Sequence, residues 1–176
     1  MKFKITLGLV NTPKDVHINE RIAIRAIIFV DDKLLMVRNL KGDLKFPGGG
    51  VKANEDIETA LLREIKEETG YVNITIGKKI GESIQLEVDR FTKDDYFRMI
   101  SSYYLCKLID FTNEGQDLDN YEADLNFKSI FITPDAALKI NKQLSLRNED
   151  LNPWVERETS VLEKLIELIK TGEIDD

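Results

Sequence analysis

Between Phe46 and Tyr71 the chain reads FPGGGVKANEDIETALLREIKEETGY, a glycine-rich loop that runs straight into an acidic amphipathic helix. Ile57, Leu61 and Ile65 recur every four residues, with Ala60 and Leu62 widening the apolar stripe, so the stretch from Asp56 to Thr69 is expected to be helical. Gly70 supplies the residue most often found just past a helix end. Asn54 reads as the N-cap, with Glu55 and Asp56 near the positive end of the helix dipole.

The far end of this helix runs against its own physics. Glu67 and Glu68 stand in the last turn, where the dipole disfavours negative charge by roughly 0.3–1 kcal/mol each. Glu64 adds like-charge pairs at i,i+3 and i,i+4, each costing about 0.2–0.5 kcal/mol. At about 100° per residue, Glu64 and Glu68 project within about 20° of Ile57 and border the buried stripe, while Glu67 lies on the flank beside Arg63. The three carboxylates are therefore expected to face a cleft.

Hard oxygen ligands at this spacing suit Mg²⁺ or Mn²⁺, which would turn the mutual repulsion into attraction. Arg63 can pair with Glu67 one turn on or reach back to Glu55, fixing a carboxylate for the ion. Three glutamates alone also fit a solvated acidic face. Pro47, Gly48, Gly49 and Gly50 tip the reading, because a bare backbone between a strand end at Phe46 and the helix lets a ligand approach amides and carbonyls.

Written by spacing, the stretch is Gly49, five residues, Glu55, seven residues, Arg63-Glu64-Ile65, one residue, Glu67-Glu68, one residue, Gly70-Tyr71. This resembles the signature box of the Nudix hydrolases, G-x5-E-x7-R-E-U-x-E-E-x-G-U, where U is apolar. Every position fits, with Tyr71 standing where an aliphatic residue is more usual. Asn54 stands where many relatives carry glycine, and asparagine tolerates a left-handed backbone nearly as well. At about 5–7% per specified residue type, the match arises by chance less than roughly once in a million such chains. Outside the box the resemblance extends loosely from Arg21 to Leu138.

The resemblance implies an α/β fold, the Nudix α/β/α sandwich with a mixed sheet between helices. It implies hydrolysis of a nucleoside diphosphate linked to another moiety, or of a nucleoside triphosphate, with Mg²⁺ or Mn²⁺. By position, Glu64, Glu67 and Glu68 would be metal ligands with the Gly48 carbonyl, and Glu55, Arg63 and Gly49 would support them. Glu64 would also be the base that activates water, a role that a glutamate from a later loop takes in some relatives. Glu122, in the acidic segment from Asp117 to Asp124, is the residue here that could do so. Relatives acting on ADP-ribose often carry a proline beyond the box and those acting on dinucleoside polyphosphates a tyrosine; around Glu87 to Asp89 neither is present.

With 176 residues and 42% apolar content, the chain can bury a full core and is expected to form one domain. Within it, residues 1–20 form a strand and link, and residues 153–170 a last helix. A net charge of −7 without a basic cluster argues against general binding to nucleic acid or to an anionic membrane, while the nucleotide-type substrate that the resemblance implies stays compatible because metal ions offset local repulsion. Nothing in the chain excludes a homodimer. The start, MKFKITLGLV, is too short in its apolar run and too interrupted by Lys2 and Lys4 for a secretory signal. With Cys106 as the sole cysteine no intrachain disulfide forms, and the cytoplasm is the expected compartment.

Phe3, Ile5, Leu7 and Leu9 alternate as in a strand, followed by a polar link through Pro13 to Glu20. Ile22–Val30 and Leu34–Val37 flank a turn at Asp31-Asp32 and read as a hairpin that carries Phe46 and the glycine loop to a sheet edge or end. Arg25 interrupts this apolar strand, pointing either into the cleft toward phosphate or to solvent. Strands are expected at Ile74–Arg90 and Tyr96–Ile109, joined by the polar FTKDD, and at Phe127–Ile132. A helix from Pro134 to Ile140, a mobile linker from Lys139 to Asn152, and a last helix opened by Asn152 and Pro153 complete the chain. The last helix reads as core packing.

His17 reads as incidental and Cys106 as a buried small residue. Phe91, Tyr96, Phe97, Tyr103, Tyr104 and Phe131 could stack on a base, but each reads first as core. Two rivals come from other classes: a non-catalytic nucleotide sensor on the same fold, which would commonly lack box carboxylates, and an isoprenyl diphosphate isomerase, which would need a cysteine in the pocket.

Overall fold

The computed structural model describes residues 1–9, 15–92, 95–147 and 151–174. Among these residues seven strands, β1 (Phe3–Gly8), β2 (Ile18–Val30), β3 (Lys33–Arg38), β4 (Leu44–Lys45), β5 (Ile74–Val88), β6 (Tyr96–Leu108) and β7 (Lys128–Ile132), form one mixed sheet. The order is β1-β5-β6-β2-β3-β4, with β7 on β3; β1 runs parallel to β5 and β2 parallel to β6, while the other pairs are antiparallel. The helices are α1 (Ile57–Thr69), α2 (Asn120–Asp124), α3 (Pro134–Leu146) and α4 (Val155–Lys170).

Strand alternation sorts the core into two layers. Ile24, Ala26, Ile28 and Leu35 face α1 and meet Ala60, Leu61 and Ile65. Ile27, Leu34, Met36 and Tyr103 face the other way and meet Ala137 of α3 and Val161, Leu162 and Leu165 of α4. The sheet thus lies between helices on both faces, as the resemblance implies. The apolar stripe of α4 is core packing, as its sequence suggested.

The β2–β3 hairpin stays paired only near its turn, at Phe29–Leu34 and Val30–Lys33. Beyond it the strands part, and the glycine loop enters the gap. Ile24 N–H donates to the Gly49 carbonyl at 2.9 Å, Ala26 N–H to the Pro47 carbonyl at 2.8 Å, and Val51 N–H to the Ile22 carbonyl at 3.1 Å. β4 therefore stands at the end of the strand order, while the loop after it turns back into the sheet and is held there by the β2 backbone.

Several boundaries differ from the sequence expectation. Asp56, not Asn54, caps α1, its carboxylate accepting from Thr59 N–H at 3.0 Å; Asn54 instead takes a left-handed turn at φ 62°. β2 begins at Ile18, so the end of the expected polar link is already strand, held by pairing with β6; residues 10–14 of that link lie outside the described residues. Leu9 lies past the end of β1 and is exposed.

α3 runs to Leu146 in place of a linker from Lys139, because Asn141 is buried in it and bonds the β4 backbone; residues 148–150 fall outside the description. Asn152 is not a side-chain cap: its amide donates to Asp43 at 2.8 Å, and α4 starts at Val155 without a side-chain cap. Residues 93 and 94 of the expected FTKDD turn are likewise outside the description.

Candidate active site

Gly48 and Gly70 have the backbone that only glycine adopts cheaply. Gly70 closes α1 in a left-handed conformation, φ 81°, with its N–H on the Lys66 carbonyl. Gly48 has φ 135°, and a Cβ there would lie 2.1 Å from the Ile24 carbonyl oxygen, so a side chain would push the loop out of the sheet.

Held this way, Gly48 presents its N–H to Glu68 Oε2 at 2.9 Å. Glu68 is fully buried at the end of α1, and Lys45 Nζ binds its other oxygen. Burial pushes the Glu68 carboxyl up, while Lys45 and then Arg25 oppose the shift. The Gly48 carbonyl accepts from Arg25 Nη1 and from Lys45 Nζ, the latter at 3.3 Å. Lys45 also stands 4.8 Å from the Phe127 ring centre and 5.9 Å from that of Trp154.

Arg63 gathers the remaining box carboxylates. Its Nε and Nη2 grip Glu55 at 2.7 and 2.8 Å, and its Nη1 reaches Glu64 Oε1 at 2.7 Å and Glu67 Oε2 at 2.8 Å. Both partners offered by the spacing, Glu55 and Glu67, are thus engaged at once. The Arg63 hydrogen bond, then that from Lys52 N–H, holds the Glu55 carboxyl down at about 2, so Glu55 stays ionised as a fixed anchor.

Glu64 is also set by the loop. A Cβ on Gly49 would lie 2.2 Å from Glu64 Oε2. Gly49→Ala is accordingly expected to shift this carboxylate and lower turnover by roughly 100-fold, the scale of a 1 Å misplacement, with little change in thermal midpoint. Kinetics beside a melting curve check this; wild-type turnover would show that Glu64 need not sit against the loop.

Glu122 joins this pair from the far side of the cleft. It lies on α2, where Asp119 and Glu122 form a capping box with N–H to carboxylate distances of 2.8 and 3.1 Å. Oxygen atoms of Glu64, Glu68 and Glu122 all come within 4.8 Å of one another. Burial, with the Glu68 charge behind it, pushes the Glu122 carboxyl up to about 7. Three converging carboxylates, two of them buried, make a donor set of hard oxygens that fits a divalent cation such as Mg²⁺ or Mn²⁺.

Of the positions singled out in sequence, Glu64, Glu68 and Glu122 meet in that set. Glu67 lies outside it, on Arg63, and the Gly48 carbonyl faces two cations. The set lies in an open cleft of about 860 Å³, whose other walls include Phe91, Phe97, Met99 and Trp154. Arg25 lines this cleft and is buried, which settles the alternative of a solvent-facing strand position.

Phe91 is 99% exposed at the cleft and is not core, whereas Tyr103 is fully buried between Phe3 and Phe46. Cys106 packs on the α1 face, where burial pushes its thiol up to about 12, and is not among the lining residues. Sequence reasoning missed Lys45, Trp154 and Arg157 as cleft residues. Only Arg157 left a trace: a cation in the first turn of a helix stands at the unfavourable end of the dipole.

The family model for the NUDIX domain matches residues 19–155. The chain belongs to the Nudix family. It is 38% identical over 60 residues to the ADP-ribose pyrophosphatase of Methanocaldococcus jannaschii, a match covering 32% of this chain and 36% of that protein. It is 28% identical over 110 residues to Nudix hydrolase 25 of Arabidopsis thaliana, covering 57% of this chain and 61% of that one. The chain thus spans less than two thirds of the length of either curated relative. Among solved structures, a Nudix hydrolase from Nitrosomonas europaea matches with a TM-score of 0.57 at 18% identity, covering 85% of this chain and 90% of that one. At that identity the likeness speaks for the fold. The Nudix box therefore sits, in a Nudix fold, where α1 and the loop meet.

Proposed function

We propose that this Nudix protein, folding as one domain, is a divalent-metal-dependent pyrophosphohydrolase acting on a nucleoside diphosphate linked to a second moiety, or on a nucleoside triphosphate. One observation carries the reading: the oxygens of Glu64, Glu68 and Glu122 converge within 4.8 Å on the floor of a nucleotide-sized cleft. Glu64 and Glu68 would hold Mg²⁺ or Mn²⁺, Glu67 and the Gly48 carbonyl would join the ligand set by exchanging their present cationic partners, and Glu55, Arg63 and Gly49 keep the carboxylates in place. The bound ion supplies positive charge against the diphosphate and acidifies water at the site.

Arg25 orients a phosphate, and Glu64 or Glu122 takes the proton from the attacking water. The new P–O bond forms in line with the bridging P–O bond that breaks, giving a nucleoside monophosphate and a phosphorylated remainder, or pyrophosphate from a triphosphate. The name of the archaeal relative makes ADP-ribose the first member of the nucleoside diphosphate class to try. Among the described residues no helix is long and apolar enough to cross a membrane, and the setting proposed is the cytoplasm.

The test is hydrolysis of nucleoside triphosphates, nucleotide sugars, ADP-ribose and dinucleoside polyphosphates with Mg²⁺ and with Mn²⁺, products being separated by chromatography. Metal-dependent cleavage of one class is expected. Tight nucleotide binding with no cleavage would instead make the protein a sensor. Cys106→Ser, run beside it, is expected to keep wild-type turnover per folded molecule, since the thiol lies away from the cleft; loss of turnover with the fold intact would bring back the isomerase.

A further inference from the structure

The proposed chemistry gives Arg25 a phosphate to orient but leaves a second buried arginine of the cleft, Arg157, without a role. Arg25 stands on β2 in the alternation of Ile27 and Phe29, which pack on the face covered by α3 and α4. Arg157 is in the first turn of α4, two residues beyond the matched segment 19–155, where the helix dipole disfavours a cation. Both line the cleft, and they are only 6% and 3% exposed.

Neither has its donors well used. Arg157 gives Nε and Nη2 to Glu158 Oε1 at 3.0 and 2.7 Å and also meets the Tyr103 hydroxyl, but its Nη1 faces the Met99 thioether at 3.0 Å, a weak acceptor. Arg25 spends Nη1 on the Gly48 carbonyl, and among the described residues its buried Nε has no partner. The two guanidiniums lie near enough for their charges to interact.

The charges around them are unequal. Buried Lys45 pairs with Glu68 and buried Arg157 with Glu158, whereas among the described residues no carboxylate is in ion-pair contact with buried Arg25. Unmet donors on adjacent buried cations are costly unless an anion completes them. Planar guanidiniums match the oxygens of phosphates and carboxylates, and in a cleft read as a diphosphate site the anion is a phosphate.

We propose that Arg157 and Arg25 form a clamp for a phosphate of the substrate, with Arg157 a substrate-binding residue supplied by the helix beyond the matched segment. The clamp rests on the reading of the cleft as a diphosphate site, but it acts through guanidinium donors and needs no metal. Phosphate recognition is thereby divided: the α1 carboxylates act through an ion, and the α4 side acts directly.

The experiment is calorimetric titration of methylenediphosphonate, a diphosphate that cannot be hydrolysed, in EDTA and again with Mn²⁺. Wild-type protein is expected to bind it in EDTA. The double variant Arg157→Met with Glu158→Gln removes both members of the buried ion pair, so a merely structural Arg157 would leave binding unchanged. Affinity is expected to fall roughly 10- to 100-fold, the scale of charged hydrogen bonds, while Mn²⁺ affinity read by electron paramagnetic resonance stays within twofold.

Arg157→Lys keeps charge and pairing without the planar fork, and is expected to bind several-fold more weakly. Should the double variant fail to fold, this one decides. Wild-type affinity in whichever folded variant is measured, or no binding by wild type in EDTA, overturns the clamp. Because no step is hydrolysed, this failure is separate from an absence of activity in the substrate panel.

Discussion

Glu68→Gln is expected to lower turnover by on the order of 10² to 10³, the loss seen when one preorganised electrostatic contact is removed from an active site. Glutamine has the same shape and can still accept the Gly48 N–H now donated at 2.9 Å, so the loop keeps its place. What disappears is the charge that a divalent ion would bind. The same charge neutralises Lys45, which is left buried beside a neutral amide, at a cost of about 3–5 kcal/mol. Turnover is therefore compared well below the melting temperature, with Mn²⁺ affinity measured in parallel. Glu67→Gln, at a carboxylate outside the converging set, is expected to be milder than Glu68→Gln. Equal activity of wild type and Glu68→Gln would remove Glu68 from the metal site.

Asn141→Leu is expected to destabilise the fold by about 3 kcal/mol, because one side chain serves both backbone groups of Leu44. Its amide donates to the Leu44 carbonyl and its oxygen accepts the Leu44 N–H, each at 2.9 Å and fully buried. The side chain thus stands in for a missing strand neighbour of β4. Leucine fills the volume but leaves a buried donor and acceptor unmatched. The thermal midpoint should drop by about 10 °C for a chain of this size. Because Leu44 leads directly into Lys45, Phe46 and the loop, turnover should fall with stability even below the transition. A midpoint within 2 °C of wild type would mean that water replaces the asparagine at no cost.

Both residues show where sequence reasoning held and where it stopped. Glu68 was legible because a carboxylate in the last turn of a helix, beside Glu64 and Glu67, violates local electrostatics, and a violated local rule points to a site. Asn141 was invisible because a polar residue in a polar stretch violates nothing. The same stretch reads as a linker in sequence, although Thr133 caps the helix and Ala137 and Leu144 bury one side of it. Asn152 failed in the opposite way: its type suits a cap, but a buried Asp43 offered it a better partner.

The one-dimensional pattern by itself determined the α1 helix, the glycine loop, the alternating strands and the Nudix box, because helix period, dipole and the steric freedom of glycine act within a few residues. It also settled that Glu64 and Glu68 border the buried face. Only the tertiary structure decided that the loop is wedged between β2 and β3, that Glu122 closes on the α1 pair from a distant short helix, and that Arg63 takes Glu55, Glu64 and Glu67 together. It alone placed Arg157 and Lys45 in the cleft. Contacts between residues far apart in the chain, and the sharing of one guanidinium among three carboxylates, depend on strand order and on which buried partner satisfies each charge, and those choices are made by the whole fold.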